Sequence, residues 1–198
     1  MSIERLLKAF ELEKRVLGAG KLSCPRQVIE AAERALGVRF PPTYRYYLEH
    51  IHLNTSTPIL GVSVAQDGGL SKYSGVFLTF DARKYEIPLP PKYVLIDQEH
   101  GFQHVIDTTQ VNSSQQSPVF SWHAEEFLLK YADFDAFYLE RVNGAIYSYM
   151  IEKADEDEEG LSREEVEAYI QLHHSLGFTE TEHEFLRRHW DTLRDQAN

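Results

Sequence analysis

One acidic run in this sequence has the residue types, and the beginning of the spacing, that a calcium-binding loop requires. Asp155, Asp157 and Glu159 alternate before Gly160, in the order of the first three ligands and the turn glycine of an EF-hand. The last position of such a loop must be a bidentate glutamate, and here it is Val166. The pattern therefore predicts no specific calcium site.

Histidines are the second group of residues that can bind a metal. The nine histidines include three close pairs: His50 with His52, His100 with His104, and His173 with His174. None of these pairs has a second cluster at the spacing of a structural zinc site, and Cys24 is the only cysteine. We interpret the pairs as surface histidines and predict no metal and no cofactor.

Residues that serve covalent or acid-base catalysis show no catalytic spacing. The sequence has no Gly-x-Ser-x-Gly elbow, and Cys24 precedes Pro25 at a predicted helix start without a recognisable histidine partner. Glu125 and Glu126 lie at another predicted helix start, where carboxylates complement the helix dipole. Glycine-rich phosphate loops are also missing from the sequence. These observations predict a protein that is not an enzyme.

Charge is distributed unevenly along the 198 residues. Residues 1–150 contain 15 Lys and Arg against 17 Asp and Glu, whereas residues 151–198 contain 5 against 14. A strongly acidic tail repels phosphate backbones, which argues against nucleic acid and favours a protein partner with a basic surface. Solubility alone is the simpler explanation of such a tail.

No apolar run approaches the roughly 20 residues of a membrane span, so no membrane contact is expected. Met1–Arg5 lacks the basic start and apolar core of a secretory signal, and a lone cysteine suits a reducing compartment. The expected location is therefore the cytoplasm.

Two helices joined by a short elbow must organise the first part of the chain. In the first helix the apolar residues recur every three or four positions, at Val28, Ala32, Ala35 and Leu36. Gly37 supplies the left-handed conformation that ends a helix, and Pro41 and Pro42 suit the first turn of the next one. The second helix carries one apolar stripe, formed by Tyr44, Tyr47, Leu48 and Ile51. Both helices should face a core, with the Tyr44 hydroxyl near Glu33.

The elbow also carries a family pattern: an acidic residue, Leu-Gly, an apolar-Pro pair, Tyr, and a closing aromatic-Leu. These positions are Glu33, Leu36, Gly37, Pro41, Tyr44 and Leu48. Later segments continue the pattern in order: Ile59–Val62, Tyr93–Asp97, His104–Thr108, Ser117–Trp122 and Asp133–Phe137. In these motifs the chain resembles the SUKH superfamily, the Smi/Knr-type domains, over residues 23–142.

The remaining segments predict an α+β fold with a mainly antiparallel sheet flanked by helices. Strands are expected at Ile59–Ala65 and Gly75–Phe80, as a hairpin, and at Tyr93–Asp97, Phe102–Thr108 and Val119–Trp122. Asn143-Gly144 is a turn signal that leaves a second hairpin open for Tyr138–Met150, but the resemblance implies a helix there, which we follow.

Three segments follow from this pattern. Residues 1–150 are predicted to form the α+β domain, beginning with a helix at 2–17, and residues 151–161 form an acidic linker. Residues 162–198 are predicted to add a helical hairpin, whose helices open at the capping box Ser162–Glu165 and at Thr181.

The resemblance implies a protein-binding function. Many bacterial SUKH members are immunity proteins that neutralise a cognate toxin, often a nuclease, whereas eukaryotic relatives resemble adaptors in cell-wall assembly. Both alternatives stay open, with the immunity protein favoured because an acidic inhibitor suits a basic nuclease surface. The residues predicted to contact a partner are Asp155, Glu156, Asp157, Glu158, Glu159, Tyr73 and Tyr85.

Overall fold

The computed structural model describes residues 3–18, 24–52, 57, 59–62, 74–99, 102–123, 125–156 and 163–178. Its elements in chain order are α1 (Glu4–Leu17), α2 (Arg26–Leu36), α3 (Pro42–His50), α4 (Gly75–Ala82), β1 (Tyr93–Glu99), β2 (Phe102–Asp107), β3 (Val119–His123), β4 (Glu126–Tyr131), α5 (Phe134–Glu156) and α6 (Arg163–Ser175). The strands form one antiparallel sheet in the order β1-β2-β3-β4. This confirms the predicted α+β class and the three predicted strands that became β1, β2 and β3.

Helices cover the two faces of the sheet unequally. The inner face, which is the face toward α5, carries Val94, Ile96, Ile106 and Val119 into a large core shared with α1, α2, α3 and α5. The opposite, outer face carries a smaller cluster beside α4: Ala82, Leu89, Tyr93, Leu95, Val105 and Trp122. Because successive strand residues point to opposite faces, each strand contributes to both clusters.

The elbow between α2 and α3 has the predicted geometry. Gly37 has a φ of 69°, and Tyr44 and Leu48 are buried in the large core. On α2 the buried stripe is formed by Ile29, Ala32, Glu33 and Leu36, so the predicted core position of Ala35 is wrong.

The predicted contact between Tyr44 and Glu33 is also wrong. The Tyr44 hydroxyl donates to the Leu60 carbonyl at 3.1 Å, and burial raises the pKa of this phenol well above its usual range. Glu33 instead accepts from the Phe40 backbone N–H and from Arg45, both at 2.8 Å. The carboxylate therefore holds the elbow itself.

Helix α4 replaces the second strand of the predicted hairpin at 59–80. Ser74 caps this helix by accepting from the Phe77 N–H at 3.2 Å, and the buried Val76, Thr79 and Ala82 repeat at three-residue spacing. Gly75 permits a close approach to β1, since a Cβ at this position would lie 2.6 Å from the Leu95 carbonyl oxygen. Residues 59–62 form no strand, and 63–73 lie outside the described residues.

The predicted helix start at Glu125 and Glu126 is wrong as well. Glu126 begins β4, in which Phe127 pairs with Trp122 and Leu129 pairs with Phe120. Cross-strand packing of these apolar side chains outweighs the dipole argument for a helix.

Residues Tyr138–Met150 are helical, as the resemblance implied, because they belong to α5. Asn143 is buried inside this helix, where its side-chain oxygen accepts from the Tyr169 hydroxyl of α6 at 3.2 Å. Tyr169 and Phe178 complete the large core, so α6 packs on the same body as α5. Helix α5 also continues to Glu156, which makes the first residues of the predicted linker helical. The second helix of the predicted hairpin lies outside the described residues.

Candidate functional site

Five aromatic side chains meet on the outer face of the sheet. The Tyr85 ring stacks on Trp122 at a centroid distance of 6.3 Å, and Trp122 stacks on Phe127 at 6.2 Å. Tyr93 stacks on Phe127 at 4.5 Å and meets Phe120 edge-on at 5.7 Å. We call these five residues the outer-face patch.

Tyr85 is the exposed member of the patch. Trp122 and Tyr93 are buried, whereas 46% of Tyr85 is exposed to solvent. Its hydroxyl-bearing ring therefore covers Trp122 while presenting its other side to solvent. Such half-buried tyrosines suit protein contacts, since one end is apolar and the other forms hydrogen bonds.

The segment that carries Tyr85 is fixed at its base. The Leu89 N–H donates to the Ala82 carbonyl at 3.1 Å, which closes the loop between these residues. The Arg83 guanidinium donates to the Leu36 carbonyl at 2.9 Å and to the Pro91 carbonyl at 2.7 Å. Burial lowers the pKa of Arg83 from its usual value. Hydrogen bonds thus fix the loop of Tyr85, and the other four rings of the patch lie on strands. Because these residues are already ordered, little conformational entropy is lost when a partner binds.

Strand β4 adds exposed apolar surface beside the patch. It is the last strand in the sheet order, and Leu128 and Leu129 are 63% and 62% exposed. Because these neighbours point to opposite faces, both sides of this edge are apolar. An exposed apolar edge strand is a template for pairing with another chain.

The inner face contains residue types of catalysis, but in a closed arrangement. Asp97, His104 and Ser121 are cross-strand neighbours on β1, β2 and β3. Arg141 donates to Asp97 Oδ2 at 2.7 Å, and the His104 Nδ1 lies 3.1 Å from the same oxygen. Within the described residues no hydrogen bond joins Ser121 to His104, and both Asp97 and His104 are buried. This cluster ties the sheet to α5, and because His104 and also His173 on α6 are buried, the prediction that these are surface histidines is wrong.

A second buried carboxylate joins three parts of the inner layer. Glu13 on α1 accepts from the Thr57 N–H at 2.9 Å, from the Thr57 hydroxyl at 2.6 Å and from the Tyr138 hydroxyl at 2.6 Å. Burial, together with the charge of Glu13, raises the pKa of Tyr138, which keeps this phenol a neutral donor. Glu13 thus joins α1 to Thr57 and to α5 through buried hydrogen bonds.

The elbow also borders a charged cleft of about 540 Å³. Its central cation, Arg45, forms ion pairs with Glu33 at 2.8 Å, with Glu49 at 3.2 Å and with Glu30 at 3.3 Å. These three carboxylates pair the charge of Arg45, while Arg26, Arg34 and Arg39 also line the cleft.

With this geometry in place, comparison with known families is informative. A SUKH family model with the description SMI1-KNR4 cell-wall matches residues 3–143. The chain belongs to the SUKH superfamily. The match includes the whole sheet and most of the surrounding helices of the SUKH domain. No curated protein matches the chain.

Membership in the SUKH superfamily has coarse functional consequences. The SMI1-KNR4 family is generally non-catalytic and is associated with protein–protein interaction.

Within the described residues, no three or more His, Cys, Asp or Glu side chains are grouped so that they can hold a metal. The helices that the structure describes are too short or too polar to span a bilayer.

The structure describes three of the seven residues predicted to contact a partner: Tyr85, Asp155 and Glu156. Tyr85 lies in the outer-face patch, whereas Tyr73 and residues 157–159 lie outside the described residues. Asp155 and Glu156 are the last two residues of α5. The six residues of the family pattern lie in α2, in α3 or between these helices, and none of them belongs to the outer-face patch.

Sequence reasoning missed the other members of this surface. In the sequence Trp122 is recognisable only as part of a strand motif, and Phe127 lies in no predicted strand. The signal that could have found them is the short alternation of Phe120 with Trp122 and of Phe127 with Leu129 across a turn.

Proposed function

We propose that this SUKH domain is a non-enzymatic protein-binding module, and that its role is to bind and neutralise a cognate bacterial toxin. The observation that carries this proposal is the outer-face patch, where an exposed Tyr85 rests on buried aromatic rings held by a sheet. Rigid aromatic anchors of this kind supply much of the binding energy in protein interfaces. The polar clusters of the inner face are buried and do not present a comparable surface to a partner.

Charge supports a basic partner. The net charge of −11 resides mostly in residues 151–198, and Asp155 and Glu156 bring that acidic segment to the end of α5. An acidic inhibitor is attracted to the phosphate-binding surface of a nuclease and gains association rate from that attraction. The proposed partner is therefore a toxin domain with a basic surface.

A regulatory adaptor is the second candidate function. It is favoured by the description of the matching family model, which refers to the cell wall. The two functions differ in the partner that they require: an immunity protein needs one toxin, encoded beside it, whereas an adaptor binds several cellular proteins.

Capture of the partner tests the proposal. The full chain, used as bait in its native host, should retain one basic protein ending in a toxin-like domain, identified by mass. Tyr85→Ala should lose this partner, whereas Tyr149→Ala, which removes a tyrosine of similar exposure on α5, should keep it. Capture of several unrelated proteins would favour the adaptor, and equal loss in both variants would contradict the assigned surface.

The acidic run permits a second test, based on kinetics. Replacing Asp155, Glu156, Asp157, Glu158 and Glu159 by Ser should slow association more than it speeds dissociation, because long-range attraction acts mainly on encounter. Wild-type association should also slow as salt rises, since screening limits such attraction beyond about 8 Å at physiological ionic strength. Unchanged association kinetics would leave the run as a solubilising segment.

The non-enzymatic part of the proposal is tested on the purified protein. We expect no hydrolase activity and no stoichiometric zinc or calcium by elemental analysis. A metal that is lost on mutation of two or more of His100, His104 and His123 would overturn this part.

A further inference from the structure

We propose that two copies of this chain pair through the β4 edges that no strand of the described residues occupies, which joins their sheets into one continuous antiparallel sheet. Strand β4 lies at the end of the sheet, and two of its four exposed residues are leucines, Leu128 and Leu129. Proline, charge and bulges hinder such pairing where they occur, and in β4 the charges and the bulge lie at the ends, whereas the central Phe127, Leu128 and Leu129 are apolar and pair regularly with β3. The occupant that fits this edge is a second β4.

The sequence of β4 is complementary to itself in one register. In an antiparallel pair with its two-fold axis at Leu128, Glu126 of each copy lies opposite Lys130 of the other. Phe127 then lies opposite Leu129, and Leu128 faces its own copy. Opposite charges and apolar pairs directly across two strands are each stabilising, and the two-fold axis forms every such pair twice.

Neighbouring registers lose this complementarity. With the axis between Leu128 and Leu129, Phe127 faces Lys130 and Glu126 faces Tyr131. With the axis at Leu129, Leu128 faces Lys130 and Glu126 has no partner within the strand. The charges at the two ends of β4 therefore select the register centred on Leu128.

Two features of the chain make this association compatible with the rest of the molecule. Residues 1–150 contain 15 basic and 17 acidic residues, so the charge that opposes association lies mainly in residues 151–198 and not on the sheet. The bulge of β4 opposite Val119 and Phe120 falls at Lys130, so Glu126–Leu129 pair regularly with β3 and the Lys130 side chain stays exposed. The joined sheet would place both outer-face patches on one side of the dimer.

Charge reversal tests the pairing by sedimentation of the full chain. Glu126→Lys and Lys130→Glu should each weaken the wild-type dimer by about tenfold or more, because each places like charges across the axis twice. The double variant should recover the wild-type association, and Glu140→Lys, a reversal at an exposed position on α5, should leave it unchanged. A monomeric wild type, or a folded double variant that stays weakened, would overturn the proposal.

A cysteine cross-link fixes the register independently. Cys24, the only native cysteine, is buried, so a thiol introduced on β4 is the accessible one. Under mild oxidation Leu128→Cys should form a disulfide-linked dimer, because its Cα lies directly across from its copy at the distance that a disulfide spans. Leu129→Cys, whose copy lies displaced along the strand, should form little. Equal cross-linking of both variants, or none with Leu128→Cys, would contradict the register.

Discussion

The inner and outer faces of the sheet differ in how completely helices cover them. On the inner face, helices complete a large core, in which the Glu13 carboxylate accepts hydrogen bonds from Thr57 and the Asp97 carboxylate pairs with Arg141. On the outer face, α4 covers only part of the sheet, and Tyr85 remains nearly half exposed over a smaller aromatic cluster.

This difference separates the residues that stabilise the fold from the residues that are available to a partner. Buried charges that are paired hold the inner layers in register, and removing one partner leaves an uncompensated group. Exposed aromatic surface costs little folding energy and remains available to a second protein. Substitutions on the inner face should therefore change stability first, and substitutions on the outer face should change binding first.

The largest effect is expected for Glu13→Ala. This change leaves the Thr57 N–H, the Thr57 hydroxyl and the Tyr138 hydroxyl without their common acceptor, which should lower the free energy of unfolding by roughly 3–5 kcal/mol. Urea unfolding followed by circular dichroism measures this loss. Glu11→Ala, on the exposed side of the same helix, should cost only about 0.5 kcal/mol. Equal losses would remove the distinction between paired and exposed charges on α1.

Arg141→Met should have the next largest effect. Among the described residues Asp97 then keeps only the His104 contact for a carboxylate that is almost completely buried, and stability should fall by about 2–4 kcal/mol. Arg26→Met removes an exposed ion pair to Glu30 and serves as the matched control, with an expected loss of about 0.5 kcal/mol or less. A stable Arg141→Met protein with unchanged chemical unfolding would show that the cluster does not hold α5 to the sheet.

Asp135 is the exception on the inner side, because its buried carboxyl group is incompletely paired. It accepts from the Gln116 side-chain amide at 2.6 Å, while its other oxygen has no hydrogen-bond partner in the described part of the chain. Burial, with Asp133 nearby, raises its pKa from 3.8 to about 7. Since the folded protein binds this proton more tightly, the resulting stability is complete below pH 3.8 and is lost as pH rises to about 7.

Asp135→Asn should therefore stabilise the protein at pH 8 by on the order of 1 kcal/mol, because the neutral amide avoids the buried charge. At pH 4 the gain should be much smaller, since the carboxyl group is then protonated in the folded state. Urea midpoints at the two pH values measure the difference. A gain that is the same at both would refute the assigned titration.

The smallest effect on stability is expected for Tyr85→Ala. Removing a half-exposed ring from Trp122 should cost about 1 kcal/mol or less, whereas partner affinity should fall by about tenfold or more. Tyr149→Ala controls for the loss of an exposed tyrosine elsewhere. A large loss of stability with unchanged binding would reverse the roles assigned to the two faces.

Local chemistry made much of the fold predictable from sequence. The elbow combined a helix-ending glycine, two prolines and a periodic apolar stripe, and the buried Tyr44 and Leu48 follow from that pattern. The strands that became β1, β2 and β3 are short, apolar and separated by turn residues. The fold class and the family follow from these elements taken in order.

The errors share one physical cause, which is that tertiary contacts decided between local alternatives. Helix α4 depends on the Thr79 hydroxyl, which accepts from the Leu95 N–H at 3.0 Å and donates to the Gly75 carbonyl at 2.6 Å. Strand β4 depends on pairing with β3. The patch could not be assembled from sequence because Tyr85 and Trp122 are distant along the chain and meet only through the fold.

Hydrogen–deuterium exchange of the full chain, free and with its captured partner, tests the central claim most directly. The account predicts slower exchange at residues 83–89, which carry Tyr85, when the partner is bound, and unchanged exchange in α1. Protection confined to α1 and α5, with residues 83–89 unaffected, would contradict the assignment of the outer face as the binding surface.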